Sequence, residues 1–248
     1  MDRLTWLGHS TVLIEAGGAR LLTDPLLRHR VVHLRRHAAV PTLPERLDAV
    51  LVSHLHHDHL HAPSLRALGA EAPLIVPQGA GSSRTVRSLR REVRELAPGD
   101  SIAVAGVRVH AVPAVHDGRR HPFGAERPAV GFVVQGARRV YFAGDTELFD
   151  GMRTIADGGL DAALLPVWGW GPRLGPGHMD PDEAARAAQL LQPALAIPIH
   201  WGTYLPLGAG RRLGHLLDDP GRAFAEHVAR RAPEVRVSVL APGQRLEL

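Results

Sequence analysis

The chain contains no cysteine and no lysine. The first absence excludes disulfides and thiolate metal sites. Any metal has to be held by imidazole and carboxylate, a ligand set that suits zinc, manganese or iron without choosing among them. The second absence makes all 29 basic residues arginine. With only two tyrosines, almost nothing titrates between neutrality and the arginine pKa. The formal charge of +4 therefore persists to high pH, and the sequence pI near 10.7 overstates the basic character. No dense lysine–aromatic surface suits a nucleic-acid strand, so no nucleic-acid partner is expected.

No apolar run reaches the length of a membrane span. Met1 to Ser10 carries Asp2, Arg3 and His9 and lacks the basic-then-apolar order of a signal peptide. The expectation is a cytoplasmic protein without a membrane span. Neither a repeat, a low-complexity tract nor a linker divides the 248 residues, so residues 1–248 are expected to form a single domain. A homo-oligomer is left open.

The apolar pattern predicts two or three strands before residue 24, with a tight turn at Gly17-Gly18 and a stop at Asp24-Pro25. Residues 27–46 are rich in arginine and histidine and read either as a long loop or lid or as a solvated, charged helix face. Ala49 to Val52 is wholly apolar, as in a strand buried on both faces. A helix is expected around 63–68, a strand at 74–76, a basic helix over 82–91, and strands at 101–104, 107–112, 129–135 and 138–143. In the second half, 161–165 is a short buried run. Asp180-Pro181-Asp182-Glu183 opens a helix with a capping-box pattern, which Pro193 ends. Leu195 to Ile197 is a strand, Asp219-Pro220 begins the last helix, and 235–240 closes with a strand. Runs of strands with helices between them fit an α/β (α+β) two-sheet core with helices outside.

The strongest chemical signal is His54-Leu55-His56-His57-Asp58-His59. Four candidate ligands directly follow the apolar strand. On extended chain His54 and His56 point the same way, because side chains alternate with period two. Asp58 and His59 follow as the chain turns and can face a second ion. A histidine-rich surface loop would not require a buried strand to deliver these groups to one place. His116, Asp145 and His200 each end a further apolar run, where catalytic groups are commonly carried on a rigid scaffold.

His54-x-His56-x-Asp58-His59, a distant His116, Gly144-Asp145-Thr146 and then His200 together resemble the motif series of the metallo-β-lactamase superfamily. The resemblance runs from about residue 2 to the end. Trp6-Leu7-Gly8-His9-Ser10-Thr11, Gly177-His178-Met179-Asp180-Pro181 and Ile199-His200-Trp201-Gly202-Thr203-Tyr204 are similar to the branch holding ascorbate-6-phosphate lactonase and N-acyl phosphatidylethanolamine-type phospholipase D. The resemblance implies an αββα sandwich of two mixed β-sheets with metals at one edge. It implies that His54, His56 and His116 bind a first ion, that Asp58, His59 and His200 bind a second, and that Asp145 bridges both. Family β-lactamases commonly carry a cysteine in the second site; its absence argues against penicillin hydrolysis.

The expected cofactors are two divalent ions, zinc first, with manganese or iron as alternatives. Two such ions about 3.5–4 Å apart can share one hydroxide that attacks a carbonyl carbon or a phosphorus. No Gly-x-Ser-x-Gly nucleophile elbow is present. His178 and His9 are candidates to give the leaving group its proton, or to orient a ligand carboxylate. Asp58 counts as catalytic as well as ligating. His57, His61 and His110 read as packing or surface residues. For substrate, Arg119, Arg120, Trp168, Arg173, Trp201 and Tyr204 lie in loops next to the ligands. Arginine forks suit an anion and aromatic walls a ring or acyl chain. The expected reaction is hydrolysis of an ester, lactone or phosphodiester in a small anionic molecule. The alternatives are a nuclease or other phosphodiesterase, a thioesterase of the same superfamily, or a metal-dependent binding or sensor protein without turnover.

Overall fold

The structure is a computed structural model and describes residues 2–42, 46–118 and 128–248. The strands in chain order are β1 (Arg3–Gly8), β2 (Thr11–Ala16), β3 (Ala19–Thr23), β4 (Arg30–Val31), β5 (Leu34–Arg36), β6 (Ala49–Leu51), β7 (Leu74–Pro77), β8 (Val93–Leu96), β9 (Ser101–Val104), β10 (Val107–Pro113), β11 (Val130–Gln135), β12 (Arg139–Phe142), β13 (Ala162–Pro166), β14 (Leu195–Ile199), β15 (Tyr204–Pro206), β16 (Arg236–Val237) and β17 (Arg245–Glu247). The helices are α1 (Ala62–Ala67), α2 (Arg84–Ser88), α3 (Met152–Ile155), α4 (Pro181–Leu191), α5 (Gly210–Leu213) and α6 (Asp219–Arg231).

Two seven-stranded mixed sheets face each other, in the orders β17-β1-β2-β3-β6-β7-β8 and β16-β14-β13-β12-β11-β10-β9. One core cluster takes residues from both, including Trp6, Ile14, Leu51 and Ile75 from the first and Val109, Phe132, Phe142 and Leu164 from the second. The period-two rule is visible in the first sheet. Ala49, Leu51 and Ile75 enter this inter-sheet core, whereas Val50, Val52, Leu74 and Val76 join a second cluster with Leu65 of α1 and Val86 of α2. These strands are buried on both faces, hence the absence of polar alternation. On the outer face of the second sheet α4 presents Ala184, Ala185, Ala187, Ala188 and Leu191, and packs on α6 and β13. Its start is the expected capping box. Asp180 accepts from the Asp182 and Glu183 amides at 2.9 Å each, and the Glu183 carboxylate takes the Asp180 amide at 3.1 Å. Such a cap contributes about 1 kcal/mol.

Strand direction decides where the chemistry collects. β1 and β3 both run antiparallel to β2, and β6 runs parallel to β3, so β1, β3 and β6 end on the same edge. β10 and β12 both oppose β11, and β13 and β14 run parallel to β12, so these four also end together. His9, Asp24, His54, His116, Asp145 and His200 all lie just beyond those ends.

Residues 27–46 depart from the expected loop or helix face. Their described part forms a hairpin, β4 and β5, which β15 extends into a three-stranded sheet. The reason is a long-range fit. Leu26, Val31 and Leu34 pack on Tyr204, whose hydroxyl donates to the Arg28 carbonyl at 2.7 Å. The buried Arg36 guanidinium donates to the carbonyls of Ala39 (3.0 Å), Leu26 (3.2 Å) and Leu7. The basic helix expected over 82–91 is only Arg84–Ser88, because Arg90 takes a left-handed φ of 51° and Val93 starts β8.

Candidate metal centre

The seven expected ligand side chains converge beyond these strand ends. His54 Nε2 and His116 Nε2 lie 2.9 and 3.1 Å from His56 Nδ1. Asp145 Oδ2 lies 3.0 Å from His59 Nε2, 3.3 Å from His200 Nε2 and 3.8 Å from His54 Nε2. Asp58 Oδ2 lies 3.8 Å from His59 Nε2 and 3.9 Å from His200 Nε2. Asp145 thus stands between a three-imidazole group and an Asp58-His59-His200 group.

Hydrogen bonding on the far side of each ring shows which nitrogens carry lone pairs. His116 Nδ1 is 2.7 Å from the Gly177 carbonyl and His200 Nδ1 is 2.8 Å from the Trp168 carbonyl, so both nitrogens are donors. His59 Nδ1 lies 2.7 Å from Asp24 Oδ2. The Ser53 hydroxyl gives its one proton to Asp24 at 2.6 Å, so it must accept from His54 Nδ1 at 3.0 Å. In their neutral forms the Nε2 atoms of His54, His59, His116 and His200 therefore all present lone pairs inward. They meet one another and the Asp145 carboxylate, an arrangement that repels itself unless a cation or a proton lies between. His59 Nε2, His200 Nε2 and Asp145 Oδ1 are buried and find no hydrogen-bond partner among the described residues. Buried polar atoms are rarely left so. The donor set fits divalent metal: among the described residues His54, His56 and His116, and likewise His54, His59 and Asp145, bring one ligand atom each within 4.8 Å of one another, as do Asp58, His59 and His200 together with His9, and His116 and Asp145 together with His178.

Burial holds His54 well below the usual imidazole range, aided by His59 and His116. Burial brings His56 to about 4 and His200 to about 3, and also lowers His116. For His59 burial opposes the charged form, but Asp145, Asp58 and Asp24 win and raise its pKa. Asp58 and Asp145 stay ionised against their burial, because imidazoles surround them.

The sequence marks Asp24 only as a strand stop. It is fully buried and accepts from the Ser53 amide at 2.7 Å, the Ser53 hydroxyl and His59. Its signal was a carboxylate directly after an apolar strand, the same signal used for Asp145. Gly144 precedes Asp145 with φ 63°, and a Cβ there would lie 2.6 Å from Ser53 Cβ, so only glycine lets the two sheets' loops approach.

Of the two roles open to His9, proton donor or support of a ligand carboxylate, its contacts fit the second. It is buried, and its Nε2 meets Asp58 Oδ2 at 3.0 Å. His178 does face the open side. Its Nε2 lies 3.5 Å from Asp145 Oδ2, and its Nδ1 lies 3.0 Å from the Pro176 carbonyl. An opening of about 320 Å³ lies over these side chains, between Val31, Val32, His33, Leu34 and Trp170 on one side and His56, His57, Asp58, Asp145 and His178 on the other. His57, expected as a packing or surface residue, lines it.

The expected substrate residues are otherwise placed. Trp201 stacks on Trp6 with ring centroids 5.4 Å apart, and Gly221 leaves room for its ring. Tyr204 is buried under the hairpin, and its hydroxyl is committed there. Trp168 donates to the Gly171 carbonyl at 3.1 Å and packs on the core; Trp170 lines the opening instead. Arg173 is exposed and does not line it. Arg119 and Arg120 lie outside the described residues.

Residues 19–201 match the family described as "Beta-lactamase superfamily domain". The chain belongs to the metallo-β-lactamase superfamily. It is 33% identical over 254 residues to a metal-dependent hydrolase of Opitutus terrae, covering 99% of this chain and 100% of that one. It is 32% identical over 257 residues to a metal-dependent hydrolase of Methanopyrus kandleri, covering 99% of each. Among solved structures, Igni18, a metallo hydrolase from Ignicoccus hospitalis, superposes with a TM-score of 0.73 at 22% identity, over 100% of this chain and 99% of that one. The fold is that of the superfamily, and the chain is a metal-dependent hydrolase. Among the described residues no helix is long and apolar enough to cross a membrane.

Proposed function

We propose that the centre takes two divalent ions and hydrolyses an ester, lactone or phosphodiester bond in a small molecule. The observation that carries this reading is the set of inward lone pairs left by the outer hydrogen bonds of His54, His59, His116 and His200. His54, His56 and His116 would hold one ion, Asp58, His59 and His200 the other, and Asp145 would serve both. Zinc, manganese and iron all suit this donor set. When bound, the ions supply Lewis acidity and acidify water, so that a nucleophile exists near neutral pH.

The chain's own residues do the rest. Asp24 fixes the tautomer and plane of His59, and the carbonyls of Gly177 and Trp168 do so for His116 and His200. His9 orients Asp58. His178 donates through Nδ1 to the backbone and turns Nε2 towards the opening, where it can hold or deliver the leaving group's proton. The similarity of the motifs around His9, His178 and His200 to the lactonase and phospholipase branch supports the bond classes named. The shared inter-sheet core supports residues 1–248 working as one domain. The anion site expected from the sequence draws nothing from the described lining, which holds no arginine.

The test is turnover of bis(p-nitrophenyl) phosphate and of a simple lactone by metal-loaded protein. At least one is expected to be cleaved, with activity abolished by a chelator and restored by metal. His178→Gln should lower kcat with metal content unchanged. Full activity in metal-free protein, or a trapped acyl- or phosphoryl-enzyme, would contradict the reading.

A further inference from the structure

The wall over the metal centre is apolar. Val31 and Leu34 are 4% and 3% exposed, and they continue into the cluster with Leu26 and Tyr204 on which Trp170 packs. Val32, at the tip between β4 and β5, is 72% exposed, the most exposed large hydrophobic residue of those described. It also holds a left-handed φ of 49°, which a β-branched side chain disfavours. A strained, exposed valine brings no packing gain of its own, and such strain is concentrated at ligand-facing sites. Next to it His33 meets the Trp170 ring edge-on, with centroids 4.8 Å apart. The opening between this tip and the ligands is about 320 Å³, at the small end of ligand pockets.

We propose that the substrate is a carboxylic ester or lactone with a compact apolar acyl or alkyl group, seated between Val32 and Trp170 while its carbonyl faces Asp145 and His178. This rests on the metal-hydrolase reading of the floor. Water adds to the carbonyl carbon, the bond to the alcohol oxygen breaks, and that oxygen leaves with a proton. The products are a carboxylic acid and an alcohol, joined in one molecule when the substrate is a lactone.

The experiment has a binding arm and a turnover arm. Metal-loaded protein is titrated calorimetrically with acetohydroxamate and butyrohydroxamate, metal chelators that differ by two methylene groups. It is also assayed with p-nitrophenyl acetate, p-nitrophenyl butyrate and bis(p-nitrophenyl) phosphate. The longer hydroxamate is expected to bind about tenfold tighter, from two methylene groups leaving water. The butyrate ester is expected to exceed the acetate in kcat/KM by a similar factor, and both to exceed the phosphodiester. Val32→Asp and Trp170→Ala are each expected to remove the chain-length gain; Val32 is exposed, so its variant does not endanger the fold. Equal affinity for the two hydroxamates, or preference for the phosphodiester, would overturn the proposal and leave the metal centre standing. If neither metal nor acetohydroxamate bound, the reading of the floor would fail and this inference with it.

Discussion

Asp145, His54 and His200 stand where strands buried on both faces or in the inter-sheet core come to an end, whereas Val32 and His33 stand on a two-residue turn between strands of two and three residues. The floor is polar, buried at His54, His59, Asp145 and His200 and half-buried at His56, Asp58 and His116, and oriented by side-chain and backbone hydrogen bonds. The wall is apolar and half open, and it is tied to the body by Arg36 and Tyr204. A reacting centre needs fixed geometry, which a strand end surrounded by packed core supplies. A surface that selects among substrates can be carried by a small hairpin, because its contribution is contact area.

Floor and wall should therefore fail differently. Asp145→Ala removes the one carboxylate shared by both ligand groups, and kcat/KM is expected to fall on the order of a thousandfold or more, with loss of metal. Retention of both metals would mean that Asp145 does not join the two groups. Asp24→Ala leaves the Ser53 amide, the Ser53 hydroxyl and His59 without their acceptor. Metal affinity is expected to drop about 10–100-fold, and the fold to lose about 3–5 kcal/mol for breaking a buried ionic network. Metal titration and denaturant melts read the two effects separately.

The acid response of metal-free protein between pH 6.5 and 4 should come mainly from the imidazoles of the floor. His56 is held at about 4 and His200 at about 3, and His54 and His116 are also lowered. The unfolded chain takes up these protons near pH 6.5. Their contribution to stability is thus complete above that pH and is lost as pH falls towards 3–4. His59 is raised, so its contribution is already complete below 6.5 and does not mask the effect. The ionised Asp58 and Asp145 weaken the fold only on further acidification, below about 3.8. The melting temperature should fall steadily from pH 6.5 to 4; a flat profile would mean that these imidazoles are not buried neutral. Val32→Gly on the wall should change stability least. Glycine relaxes the left-handed φ of 49° but adds chain entropy, leaving a net change within about 1 kcal/mol. A loss of metal in that variant would erase the distinction between wall and floor.

The floor was legible in the sequence because ligand-type residues directly followed apolar runs, and strand direction then brought those ends to one edge. The capping box of α4 was legible for the same local reason. Asp24 carried the same mark, but its following proline made it read as a terminator. The wall was not legible. Its sheet joins residues 30–36 to 204–206, and nothing local in an arginine- and histidine-rich stretch announces a partner that far along the chain. Aromatic residues near ligands in sequence were equally uninformative. Trp168 and Trp201 turn into the core and Trp170 into the opening, a choice made by packing.

The central claim is that the inward lone pairs define two metal sites joined by Asp145. Elemental analysis of metal-reconstituted protein, freed of loose ions by gel filtration, tests it most directly. The account predicts about two metal ions per chain in the parent and about one in each of His56→Ala and Asp58→Ala. A parent that retains only one ion, or no more than a trace, would contradict it.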